Sequence, residues 1–162
     1  MPRLLLELNS SVTLPPRLER WVRLAARVCA AELPRDVREA RLSIGFCGDR
    51  RMRSVNREQR GKDKTTDVLS FPAQTDLRRP GPRDWMAPGV LPLGDVLVSL
   101  PQAQRQARAF ELTLEEEVVH LFIHGFLHLL GHDHEVSLRE EKIMQAREAE
   151  LLARFARARR RK

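Results

Sequence analysis

The sequence predicts an α+β or α/β layer fold, with helices flanking one small sheet. Three observations carry this. The chain has 162 residues, the size of one domain able to bury a single core. Hydrophobic residues make up 42% and charged residues 31%, the balance of a globular chain. Four short strand-like segments are interleaved with five segments that carry helix-start signals.

Taken in order, residues 4–8, LLLEL, read as the first strand. Pro15 and Pro16 open a helix that runs to Glu32, with Leu18, Trp21, Val22, Ala25 and Val28 on one stripe, and Pro34 closes it. Leu42, Ile44 and Phe46 alternate with Ser43, Gly45 and Cys47, a half-buried strand. Asp49 reads as the cap of a short basic helix over 50–59 that runs into Gly61. TDVLSF at 66–71 is a third strand stopped by Pro72, and GDVLVS at 94–99 a fourth. Between them lies an irregular loop, 74–92, with four prolines. Pro101 opens a polar helix to about Ala109.

Thr113 and Glu116 form a capping box for a helix from Leu114 to Leu130, ended at Gly131 by a left-handed cap. Ser137 and Glu140 make a second box for a last helix that reaches toward the basic end. No apolar run is long enough to span a membrane, which excludes a transmembrane helix. Glu7 interrupts the N-terminal leucines too early for a secretory signal, so the expected compartment is the cytoplasm. Two cysteines, Cys29 and Cys47, exclude a disulfide scaffold.

The net charge is +7, and its placement is uneven. The last twelve residues hold six positive charges and no acid, so the chain reads as one domain over 1–153 and a basic C-terminal tail over 154–162. A second basic cluster holds Arg50, Arg51, Arg53, Arg57, Arg60, Lys62 and Lys64, opposed there only by Glu58 and Asp63. Such clusters attract polyanions, nucleic acid being the commonest; the alternative is a solvated helix face and a frayed end.

All five histidines fall between positions 120 and 134. His124 and His128 are four apart and stack on one helix face, where two imidazoles can hold one zinc ion. Gly131 stops the helix, so the chain can turn back and bring His134 in as a third ligand. Three protein ligands leave a coordination position open for water, the catalytic arrangement of zinc. His120, one turn earlier, reads as a histidine behind the ligands or in the core. Asp133 either orients a ligand ring or caps the turn. The layout is zincin-like, but a peptidase of that kind needs Glu immediately after the first histidine, and Gly125 stands there.

HGFLHLLGHDH resembles the signature of the bacterial YbeY endoribonucleases, the rRNA maturation factors. VNREQRGKDKTTDVLSFP at 55–72 and LGDVLVS at 93–99 resemble two further family blocks, in family order. Gln59 stands where the family has an aromatic residue and Thr65 where it has proline. The resemblance implies an α+β fold with a four-stranded mixed sheet, about five helices and the metal helix central. It implies a zinc-dependent endoribonuclease acting on single-stranded RNA, with His124, His128 and His134 as zinc ligands and Arg60 as a catalytic residue. It also implies maturation of the small-subunit (16S) rRNA 3′ end and ribosome quality control. The partners it implies are small-subunit rRNA, a small-subunit ribosomal protein and the GTPase Era, with no membrane. Arg53, Arg57, Lys62 and Lys64 are the expected RNA-binding residues. Two other readings stand beside this one: a non-enzymatic zinc-stabilised RNA- or ribosome-binding assembly factor, and a zinc peptidase, disfavoured by Gly125.

Overall fold

In the computed structural model, which describes residues 1–73, 76–78 and 89–161, four strands form one mixed sheet. The strands are β1 (Arg3–Ser10), β2 (Glu39–Cys47), β3 (Val68–Pro72) and β4 (Leu91–Ser99), in the order β1-β2-β4-β3. β1, β2 and β4 run parallel, and β3 is antiparallel to β4. The expected α+β class, the four-stranded mixed sheet and the five α-helices are all present. Most of the Pro-rich loop lies outside the described residues.

β4 begins three residues earlier than its sequence suggests. Leu91 and Leu93 point into the core, and so do Val96 and Val98, although their parity differs. The register shifts by one residue opposite Arg41 and Leu42, and Gly94 takes φ +126° there. A Cβ at Gly94 would stand 2.1 Å from the Phe71 carbonyl oxygen, so only glycine passes this bulge. The bulge breaks the alternation that marks a strand in sequence.

One sheet face, with Ala40, Leu42, Ile44 and Phe46 from β2, joins the main core. α1 (Pro16–Cys29), α4 (Leu114–Leu129) and α5 (Leu138–Arg160) build the rest of that core. On the other face Met52 and Val55 of α2 (Asp49–Arg60) cover Cys47 and Leu69. α3 (Leu100–Ala109) packs beside α4. α4 is apolar nearly all round because it lies between the sheet and the α1/α5 layer; the histidine helix is thus central. Both cysteines are buried and free.

Two local expectations shift. Asp49 is the first residue of α2 rather than its cap, which is Gly48; its carboxylate instead receives Arg105, Ser99 and Thr65. Ser137 caps α5 through the Glu140 amide at 3.1 Å, but the Glu140 carboxylate is taken by Arg78 at 2.7 Å. A boundary after residue 153 falls inside α5, which runs unbroken to Arg160. Phe155 is buried against Trp21, with ring centroids 5.7 Å apart. Arg159 stacks over the same Trp21 and reaches Glu116, and Arg154 reaches Glu32. The basic end is therefore packed through its apolar and paired residues, and only Arg157, Arg160 and Arg161 stand exposed without an acidic partner among the described residues.

Candidate metal centre and its cleft

The C-terminal end of α4 makes the site. Gly131 takes φ +102°, its N–H bonds the His128 carbonyl at 3.0 Å, and the His132 N–H bonds the Leu127 carbonyl at 3.1 Å. This pair of bonds is a Schellman cap, and it reverses the chain so that His134 returns over the helix end. His124 and His128 meet through their Nε2 atoms at 3.0 Å. The His134 ring centroid lies 5.3 Å from that of His124 and 5.1 Å from that of His128. One ring nitrogen from each lies within 4.8 Å of the others. Nitrogens bound tetrahedrally at about 2 Å from zinc sit somewhat over 3 Å apart, so a small contraction suffices.

The electrostatics suit a cation. Burial first, then His124 and His134, push the His128 pKa from 6.5 down to about 4, which leaves a neutral ring with a free lone pair. The Nδ1 atom of His134 is buried without a hydrogen-bond partner. Glu148 of α5 takes the Nδ1 of His124 at 2.5 Å and so fixes which nitrogen faces the other rings. Three converging imidazoles with one carboxylate behind them are a donor set that fits zinc.

The histidines line a cleft of about 920 Å³. Arg60, Lys62 and Lys64 line it as well. Arg60 ends α2; Gly61 then takes the left-handed φ of +68°, and the Arg60 Nη2 donates to the Ser70 carbonyl at 3.0 Å. Arg53 and Arg57 do not line this cleft. Arg53 forms a two-pronged pair with Asp63 at 2.9 and 3.0 Å, and Arg57 approaches the same carboxylate at 3.8 Å. His120 is an exposed part of the cleft wall, so it is not a core residue, and it stands outside the three-nitrogen group. Asp133 caps the turn by accepting the Glu135 amide at 2.9 Å.

Gly125 faces away from the rings and against the sheet. A Cβ there would come within 2.9 Å of Val96 and 3.1 Å of Ser70. The position that carries the base in a zincin has no room for a side chain here and no access to the cleft. Glu148, Glu117 and Asp67 also line the cleft, and sequence reasoning did not single them out.

Fold and site together define a small α+β protein whose buried central helix carries a three-histidine centre in a cleft lined by both cationic and acidic side chains. A family model described as Endoribonuclease YbeY matches residues 7–156. A Geobacillus thermodenitrificans protein named Endoribonuclease YbeY is 41% identical over 139 residues, covering 85% of this chain and 84% of that one. An Aquifex aeolicus protein of the same name is 35% identical over 156 residues, covering 96% and 93%. A Myxococcus xanthus namesake is 51% identical over 113 residues, which are 68% of this chain and 35% of that longer one. A solution structure of TM1509 from Thermotoga maritima has the same fold, with a TM-score of 0.64 at 22% identity over 93% of this chain and 89% of that one. The chain belongs to the YbeY family of endoribonucleases.

Proposed function

We propose that this protein is a zinc-dependent endoribonuclease that cuts single-stranded RNA and acts in the cytoplasm on small-subunit rRNA. The observation that carries the reading is one cleft that combines three converging imidazoles with Arg60, Lys62 and Lys64. Those three cationic side chains can hold the phosphates of a chain laid along their side of the cleft and offer charge where the reacting phosphate becomes more negative. Bound zinc would supply a Lewis acid and a lowered pKa for a coordinated oxygen nucleophile. Arg60, held by Ser70 through one of its donors, keeps others free for a planar, two-pronged contact with phosphate. Lys62 and Lys64 hold flanking phosphates as point charges. Glu148 holds His124 in the tautomer whose Nε2 is a ligand.

The family's name for its activity and the absence of room for a peptidase base at Gly125 favour cleavage of RNA over peptide hydrolysis. Maturation of the 16S rRNA 3′ end, ribosome quality control, and contacts with a small-subunit ribosomal protein and the GTPase Era are part of the same proposal, by family resemblance. The deciding experiment is cleavage of single-stranded and duplex RNA with and without chelator, beside His128→Ala purified identically. Chelator-sensitive cutting of single strands that the variant lacks supports the reading. Metal-bound protein that binds RNA without cutting it would instead make the chain an assembly factor.

A further inference from the structure

Glu117 occupies the same stripe of α4 as the histidines, two turns ahead of His124 and so about 10 Å from it along the helix. It is only 5% exposed, yet it lines the cleft. No described residue donates a hydrogen bond to its carboxylate. Burial first, and then the carboxylate of Asp67, make its ionised form costly. Asp67 cannot relieve this, because it too is an acceptor and is already committed. Its Oδ1 receives the Val68 amide at 2.7 Å and the Thr66 hydroxyl at 3.2 Å, and its Oδ2 the Gln106 amide at 3.1 Å. Among the described residues the Glu117 carboxylate thus faces the cleft with no hydrogen-bond donor of its own, and a ligand that brings one would match it.

We propose that this end of the cleft is a nucleobase subsite, in which the Glu117 carboxylate accepts the adjacent N1–H and N2 amine of a guanine. The proposal rests on the endoribonuclease reading and names which base that cleft selects. One free carboxylate beside a committed one is too small a ligand set for a divalent cation. Single-stranded RNA can splay a base out and present its Watson–Crick edge. Guanine alone offers two neighbouring donors there. Adenine and cytosine place their amine beside a ring acceptor, and uracil sets its single N–H between two carbonyls, which a carboxylate repels. Val68 and Leu121 supply apolar wall for the base faces. The separation from His124 is roughly the reach from a phosphate to the far edge of its own base.

The test uses zinc-loaded protein and synthetic single-stranded RNAs with guanine at one position, each paired with an RNA carrying inosine there, which lacks the N2 amine. At one position relative to the cut, the wild type is expected to favour guanine about tenfold in kcat/KM, the discrimination of a good two-pronged pair. Glu117→Gln should erase that preference while zinc content and Tm stay normal. Glu117→Asp, which keeps the charge but shortens the reach, should erase it too. Equal cutting of the guanine and inosine RNAs by the wild type overturns the subsite, as does a preference that survives Glu117→Gln. Loss of zinc or of Tm in both variants makes Glu117 structural and also overturns it. If the wild type cuts no RNA at all, the endoribonuclease reading itself has failed.

Discussion

Glu148 of α5 holds the Nδ1 of His124 at 2.5 Å, while the opposite ring nitrogen faces His128 at 3.0 Å. A carboxylate on the far nitrogen fixes the tautomer and makes the near one a better metal ligand. Glu148→Ala is expected to weaken zinc binding about 10- to 100-fold with the fold intact. Competition with a chromophoric chelator measures this, and an unchanged zinc affinity would reduce Glu148 to a cleft-wall acid.

Gly125 makes a different kind of prediction, because its constraint is steric. A Cβ would meet Val96 at 2.9 Å inside the packed seam of α4 and β4. Gly125→Ala should cost about 1–3 kcal/mol by overpacking, read from denaturant unfolding. Gly125→Glu, which restores the zincin sequence pattern, should yield unfolded protein and no peptidase activity. A folded, peptide-cutting variant would refute the packing argument.

Local signals made much of this molecule legible beforehand. Thr113 and Glu116 form both bonds of their capping box, and Gly131 takes the left-handed conformation that ends α4. The spacing of His124, His128 and His134 describes a helix face and a return, so neighbouring residues sufficed to find the centre. What escaped depends on distant chain. Glu148 reaches His124 only because α5 packs across α4. Glu117 reads as one of three acids at a helix start, and nothing in the neighbouring sequence marks it as the buried one. Arg53 and Arg57 were visible as charge, but Asp63 returns through the α2 turn to pair with them. The basic end read as a tail because its arginines obscure Phe155, which the core claims.

Acidity should act on the centre before it acts on the carboxylates. Native His128 titrates at about 4, against an ordinary 6.5, and burial also pushes His132 downward. Between those values the unfolded chain binds a proton that the native chain refuses, so stability falls as pH drops through the window. Chelator-treated protein is expected to lose Tm steadily from about pH 6.5 toward pH 4, and His128→Gln should flatten the profile. A flat profile in the wild type would mean that His128 is not held neutral by its surroundings.

The exposed arginines at the end of α5 offer a graded test of RNA contact. Deleting 154–162 would remove buried Phe155, so substitution is the cleaner change. If Arg157, Arg160 and Arg161 all touch phosphates, replacing them by Ser lowers the slope of log affinity against log salt by about 2. An unchanged slope in a fluorescence anisotropy titration would leave this end as a solvated surface.

Arg60 separates structure from catalysis most sharply. It is an exposed residue whose one described hydrogen bond is the Nη2 contact to the Ser70 carbonyl at 3.0 Å. A bond of that kind contributes about 1 kcal/mol, so Arg60→Ala should leave zinc content unchanged and lower Tm only slightly. The same side chain shares the cleft with the three histidines. A donor aimed at a reacting phosphate is worth about 100- to 1,000-fold in rate, which is the expected loss of cleavage. Arg60→Lys keeps the charge but loses the planar fork, so it should recover only part of that activity. The decisive readout is zinc content, Tm and single-turnover cleavage on the same preparations. Wild-type cleavage by Arg60→Ala, or a loss that merely tracks unfolding, would remove Arg60 from the reaction and leave it as a strut between α2 and β3.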